Sequence, residues 1–125
     1  MLLADDHPGL LEEVRDLLEP AYEVVGRLNN GQSLVESALR LQPDVIVTDI
    51  SMPVLNGIEA VSKLKEAGCR SRVVFLTVHD NPEYLQACRS KGGLGYVIKP
   101  RLSIDLLKAI RAALAGQEFV SQHLR

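Results

Sequence analysis

The sequence predicts an α/β domain, a doubly wound parallel sheet of five strands in the order 2-1-3-4-5 with five helices. Short apolar runs, Leu2-Leu3-Ala4, Val45-Ile46-Val47, Val73-Val74-Phe75-Leu76 and Tyr96-Val97-Ile98, alternate with stretches whose apolar residues recur at helical spacing. The runs at 45–47 and 73–76 are continuous, as in parallel strands covered on both faces. Connections are short, so right-handed crossovers leave little choice of topology.

Each element has its own local reason. Pro8 suits a helical first turn, and Leu10, Leu11, Val14, Leu17 and Leu18 keep helical spacing until Glu19-Pro20 stops them. Tyr22 to Leu28 reads as the second strand. After the loop Asn29-Asn30-Gly31, Ser33 and Glu36 have the spacing of a capping box, followed by the stripe Leu34, Val35, Ala38, Leu39. Pro43 ends that connection and Asp44 to Thr48 forms the third strand. Asn56 with Glu59 caps a helix bearing Ile58, Val61 and Leu64, which Gly68 closes. Val73 to Thr77 is the fourth strand. Asp80 or Asn81 caps the next helix, Pro82 fits its first turn, Leu85, Ala87 and Cys88 give it an apolar face, and Gly92-Gly93 ends it. Gly95 to Lys99 is the fifth strand. Ser103 opens the last helix, with Ile104, Leu107, Ile110, Ala113 and Leu114 inward and Gly116 as its stop. The expected organisation is one domain over residues 1–118 and a tail or linker start over 119–125.

Composition narrows the function. With 125 residues and 46% hydrophobic content, the chain can bury a core of ordinary domain size. Fourteen basic against 16 acidic residues give a net charge of -2, which points to neither nucleic acid nor an anionic membrane. No apolar stretch approaches the roughly 20 residues needed to span a bilayer, and no signal peptide is visible. Cys69 and Cys88 have no metal or redox spacing and read as reduced thiols of a cytoplasmic protein, Cys88 facing a core. Five aromatic residues and no tryptophan argue against a base-stacking surface.

The chemistry lies at the strand ends. Asp5-Asp6, Asp49, Thr77 and Lys99 each follow an apolar run, so a parallel sheet gathers them on one edge. In the flavodoxin-like order, strands one and three flank the switch point where such folds bind ligands. Strands about 4.8 Å apart bring Asp5, Asp6 and Asp49 within reach of one ion. Left alone, the carboxylates would raise one another's pKa values. An all-oxygen, incomplete ligand shell favours Mg²⁺ with some waters retained and a phosphate oxygen completing the shell. Lys99 can reach back to a phosphoryl oxygen or to the carboxylate, and Thr77 can donate to the same group. Taken singly, Asp-Asp also fits a solvated loop, and Thr77 and Lys99 fit ordinary strand ends. The joint arrangement carries the reading.

Four motif elements resemble the receiver domain of two-component response regulators: Ala4-Asp5-Asp6; Thr48-Asp49-Ile50-Ser51-Met52-Pro53 with Asn56-Gly57; Leu76-Thr77; and Gly95-Tyr96-Val97-Ile98-Lys99-Pro100. The resemblance implies phosphoryl transfer to Asp49, with Mg²⁺ held by Asp6 directly, Asp5 mainly through water, Asp49, and the backbone carbonyl of Ser51. It implies that Thr77 and Lys99 hold the phosphoryl oxygens and that Tyr96 is a switch aromatic turning inward as Thr77 moves. Leu2-Leu3-Ala4-Asp5-Asp6-His7-Pro8, Val24-Val25-Gly26, Leu76-Thr77-Val78-His79-Asp80 and Ala109 to Gly116 resemble the LuxR/NarL branch. Members of that branch usually continue into a DNA-binding helix-turn-helix, which is expected to lie outside this chain. Two departures stand out: Pro100 follows Lys99 where many members carry a polar or small residue, and the first strand begins almost at Met1.

The resemblance makes the expected partner a sensor histidine kinase, with homodimer formation on phosphorylation and no membrane contact. Asp49 would attack phosphorus on a phosphohistidine or small acyl phosphate, giving an acyl phosphate that water hydrolyses, so the only catalysis is self-phosphotransfer and autodephosphorylation. A phosphatase using an aspartyl-phosphate intermediate typically needs a second acid two residues on, where this chain has Ser51. A receiver-like module that only binds partners is the other alternative. At the rim, Ser51 leaves the route of the attacking water open, whereas His79 is expected to obstruct it. A cis Lys99-Pro100 bond is expected to aim the lysine inward.

Overall fold

The computed structural model describes residues 1–78 and 82–121. Strands β1 (Leu2–Ala4), β2 (Gly26–Leu28), β3 (Val45–Asp49), β4 (Arg72–Thr77), β5 (Gly95–Ile98) and β6 (Phe119–Val120) alternate with helices α1 (Pro8–Leu18), α2 (Gly31–Leu41), α3 (Gly57–Glu66), α4 (Pro82–Ser90) and α5 (Leu102–Leu114). All strand pairs are parallel, in the order β2-β1-β3-β4-β5-β6. The order of the first five strands is the predicted one, and the sixth adds to the β5 edge.

Side chains alternate along each strand, so the sheet divides the core in two. On one face Leu2, Ala4, Ile46, Phe75 and Tyr96 pack with Leu34 and Ala38 of α2, Ala60, Val61 and Leu64 of α3, and Leu85 and Cys88 of α4. On the other, Leu3, Val45, Val47, Val74, Leu76 and Val97 meet Val14 and Leu18 of α1 and Leu106, Ala109, Ile110 and Ala113 of α5. Each fully buried large side chain contributes about 1.5–3 kcal/mol. Cys88 is in this core, where burial pushes its thiol up to about 12.

Several boundaries differ from the sequence reading, each for a local reason. The second strand starts at Gly26 because Tyr22 is spent on the exit from α1, its N–H bonding the Leu18 carbonyl at 2.7 Å. Helix α2 is capped by Asn30, whose side chain accepts the Ser33 N–H at 2.8 Å. Ser33 is thus the third residue of the helix and not its cap, since asparagine upstream is an equally good cap and Gly31 follows it. At α3 the expected capping box is present: Asn56 accepts from Glu59 N–H and the Glu59 side chain accepts from Asn56 N–H. The proposed α4 caps, Asp80 and Asn81, lie outside the described residues. Lys99 does not extend β5 but opens a 3-10 turn, Lys99–Arg101, that leads into α5 at Leu102. The Lys99–Pro100 bond is trans. The segment read as a tail contains β6, with Gly95 opposite Phe119 and Tyr96 opposite Val120. Gly116, at φ 73°, makes the turn that lets the chain leave α5 and rejoin the sheet.

Candidate functional site

Register places the polar strand ends together. Ala4 pairs with Thr48 and Asp49 with Leu76, so Asp5, which follows β1, projects beside Asp49 at the end of β3. Thr77 lies opposite Ile98, which puts it one residue beyond the Asp49 level and next to the turn bearing Lys99. The loop after β3 is drawn tight by Gly57, whose N–H bonds the Ile50 carbonyl at 2.7 Å. A Cβ at Gly57 would run into the Asp49 carbonyl, so only glycine lets α3 begin this close to the strand end.

The centre of the site is a buried ion pair with too much negative charge. Lys99 Nζ lies 2.9 Å from Asp5 Oδ2 and 3.2 Å from Asp49 Oδ2. Asp5 is 2% exposed and Asp49 4%. Burial pushes the Asp49 carboxyl above its ordinary range and the charge of Asp5 adds to that, while Lys99 opposes both. For Lys99, burial alone would lower its pKa, but the bond to Asp5 and the charge of Asp49 outweigh it and hold the ammonium above its usual range. One lysine therefore serves two buried carboxylates. Asp6 is a third, more exposed carboxylate beside them.

His7 joins the cluster, which sequence reasoning did not foresee. Its Nδ1 lies 3.0 Å from Asp5 Oδ1 and 3.0 Å from Asp6 Oδ1, and its backbone N–H donates to Asp5 Oδ1 at 2.8 Å. The signal was available in the i, i+2 relation of a histidine to a strand-end aspartate. One ligand atom from each of Asp5, Asp6, His7 and Asp49 fits within 4.8 Å of the others. Carboxylate oxygens in excess of their cationic partner suit a hard divalent ion.

Of the other expected residues, Thr77 is buried at the end of β4. Ser51 is exposed at the rim, immediately after the residue whose carbonyl receives Gly57. Tyr96 is buried on the α2-α3-α4 face, packed within the core. His79 lies outside the described residues. Val54, in the loop between β3 and α3, is 82% exposed and holds φ at 70°, a conformation that a β-branched residue adopts only under strain.

The model of the response regulator receiver domain matches residues 1–111. The chain belongs to the response regulator receiver family. Its relatives are of the LuxR/NarL kind. It is 38% identical to the nitrate/nitrite response regulator NarL of Escherichia coli K12 over 99% of this chain and 58% of that protein. It is 36% identical to the transcriptional regulatory protein DesR of Bacillus subtilis, over 99% of this chain and 62% of the relative. This receiver thus spans less than two thirds of the length of both. A LuxR-family response regulator from Aurantimonas superposes with a TM-score of 0.93 at 30% identity, covering 98% of this chain and 89% of that one. The isolated receiver of RcsB from Salmonella enterica serovar Typhimurium, solved with the phosphomimetic BeF3⁻, gives a TM-score of 0.88 at 30% identity over 98% and 93% of the two chains. Among the described residues, no helix is long and apolar enough to cross a membrane.

Proposed function

We propose that Asp49 is the phosphoryl acceptor of this receiver and that Asp5, Asp6, Thr77 and Lys99 complete its site. The observation that carries the reading is Lys99 Nζ held between the buried carboxylates of Asp5 and Asp49 at 2.9 and 3.2 Å. An Asp49 oxygen forms the bond to phosphorus as the bond to the donor breaks, the donor being a phosphohistidine of a sensor kinase or a small acyl phosphate. Burial keeps this carboxylate poorly solvated and thus more nucleophilic, while Lys99 offsets charge on the transferring oxygens. Thr77, at the adjacent strand end, moves toward one of those oxygens to donate to it, and Tyr96 is the aromatic whose packing follows that movement. Asp6, Asp49 and the Ser51 carbonyl would hold Mg²⁺ directly and Asp5 through water, since Asp5 is already engaged by Lys99 and His7. A bound Mg²⁺ supplies charge neutralisation and orients the phosphoryl group. The acyl phosphate then ends in hydrolysis by water, with Ser51 and His79 setting access, so the domain is a switch and not an enzyme acting on other substrates.

The same reading makes the domain cytoplasmic and assigns it control of a DNA-binding output domain. The likeness that supports it is RcsB, 30% identical, which has been solved as two dimers on DNA. Phosphorylation would act by shifting a pre-existing equilibrium of the face around α4 and β5 toward homodimer formation. Intact-mass measurement after treatment with acetyl phosphate and Mg²⁺ tests the acceptor. One phosphoryl group on the wild type and none on Asp49→Asn is expected. Sustained phosphate release would instead mark a hydrolase, and an unchanged mass would mark a module that only binds partners.

A further inference from the structure

A second buried polar cluster bonds to the residues that flank Lys99. Asp105 of α5 is 3% exposed and Ser121, just past β6, is 0% exposed. The Ser121 hydroxyl donates to Asp105 Oδ2 at 2.7 Å and accepts the Ile98 N–H at 3.2 Å. Arg101 Nε donates to the same Asp105 oxygen at 2.9 Å. The Ser121 N–H in turn bonds the Tyr96 carbonyl at 2.9 Å. Lys99 sits between the two clamped points: Ile98, whose N–H is taken by Ser121, and Arg101, whose side chain is taken by Asp105. Pro100 offers no N–H to the turn, which closes through the Leu102 N–H on the Lys99 carbonyl.

We propose that Asp105 and Ser121 are positioning residues for Lys99, fixing the Ile98–Arg101 turn so that the ammonium is delivered to Asp5 and Asp49 across a trans Lys99–Pro100 bond. The inference rests on the reading of Lys99 as a phosphoryl-site residue. Its physical content is that the lysine stem is long and flexible, so its aim is set by where the backbone leaves the strand. Both flanks of that exit are fixed, one by a carboxylate four residues further along the chain and the other by a hydroxyl from beyond β6. The C-terminal strand is thereby part of the site's frame.

The experiment compares wild type, Asp105→Ala, Ser121→Ala and the conservative Ser121→Thr in the full chain. Two quantities are read: the initial rate of Asp49 labelling by acetyl phosphate with Mg²⁺, and the Lys99 ammonium signal in ¹H–¹⁵N spectra of the resting protein. Both alanine variants should label about tenfold more slowly or worse, since displacement of a positioned group by an ångström is enough for that. Both should also lose the bonded Lys99 signal, and Ser121→Thr should restore rate and signal together. Folded Ser121→Ala that labels at the wild-type rate with its Lys99 signal unchanged overturns the proposal, and it decides the matter if Asp105→Ala does not fold. Should the wild type take no phosphate, the acceptor assignment fails by itself, and the Lys99 signal still judges the positioning.

Discussion

Two buried carboxylates at the same end of the sheet behave in opposite ways. Asp49 shares a single lysine with Asp5, and burial together with the second negative charge pushes its pKa up. For Asp105, burial also works against the charged form, but the bonds from Arg101 and Ser121 outweigh it and hold the carboxyl below its ordinary range. In the resting fold the charge of Asp49 is disfavoured, whereas that of Lys99 beside it and that of Asp105 are favoured. Burial of a carboxylate therefore says little by itself. Whether its partners match it decides whether the fold favours or disfavours its charge.

The sharpest way to break the contrast is to remove each carboxylate in turn. Asp105→Ala leaves the Ser121 hydroxyl and the Arg101 guanidinium without their acceptor, and is expected to lower stability by about 2–4 kcal/mol in urea unfolding. Asp49→Asn should act in the other direction. Without divalent cations it should raise stability by about 1–2 kcal/mol, because it deletes a charge that burial and Asp5 disfavour. Equal losses from the two substitutions would show that the clusters are alike.

Mg²⁺ gives the next test. Saturable binding to the folded wild type at ten times its Kd should add about 1.4 kcal/mol. Asp49→Asn should gain measurably less, and Asp105→Asn as much as the wild type. Amide shifts at residues 5–7 and 49–51 should appear first in an NMR titration, and shifts confined elsewhere would count against the site.

Acidification separates the clusters without mutation. Asp49 has a raised folded pKa, so its destabilising contribution is fully present above that value and is relieved as pH falls toward the unfolded carboxyl value of about 3.9. Asp105 has a depressed folded pKa, so its stabilising contribution is present above about 3.9 and is lost as pH falls through the folded value. Urea midpoints of Asp49→Asn and Asp105→Asn against wild type should therefore diverge from it in different pH windows, the first above about pH 4 and the second reaching below it.

The smallest effect concerns the rim. Val54→Gly should stabilise the fold by about 1 kcal/mol, because a β-branched residue at positive φ is strained there and its exposed side chain contributes little packing. A thermal melt decides it. No gain would mean that the strain is offset by contacts within the loop.

Much of this was legible from sequence because it is local or periodic. Continuous apolar runs at 45–47 and 73–76 fixed two central strands, and helical spacing with Pro8 and Gly68 bounded the first and third helices. Chemistry at the run ends brought Asp5, Asp49, Thr77 and Lys99 to one edge, since parallel strands with right-handed crossovers share a C-terminal edge. The Asn56/Glu59 box was legible because its partners are three residues apart. What the tertiary structure alone decided was whatever joins segments distant in sequence. Gly31, at the start of α2, lies against the Leu55 carbonyl of the loop before α3. Phe119–Val120 is too short to announce a strand and becomes one because the β5 edge offers unpaired backbone groups. Asp105 reads as a polar residue in an amphipathic helix, four residues from Arg101, until Ser121 arrives from beyond β6. Periodicity reports which way a side chain faces along its own element, but a buried charge is stable only if its partners come from elsewhere, and that depends on how the elements pack.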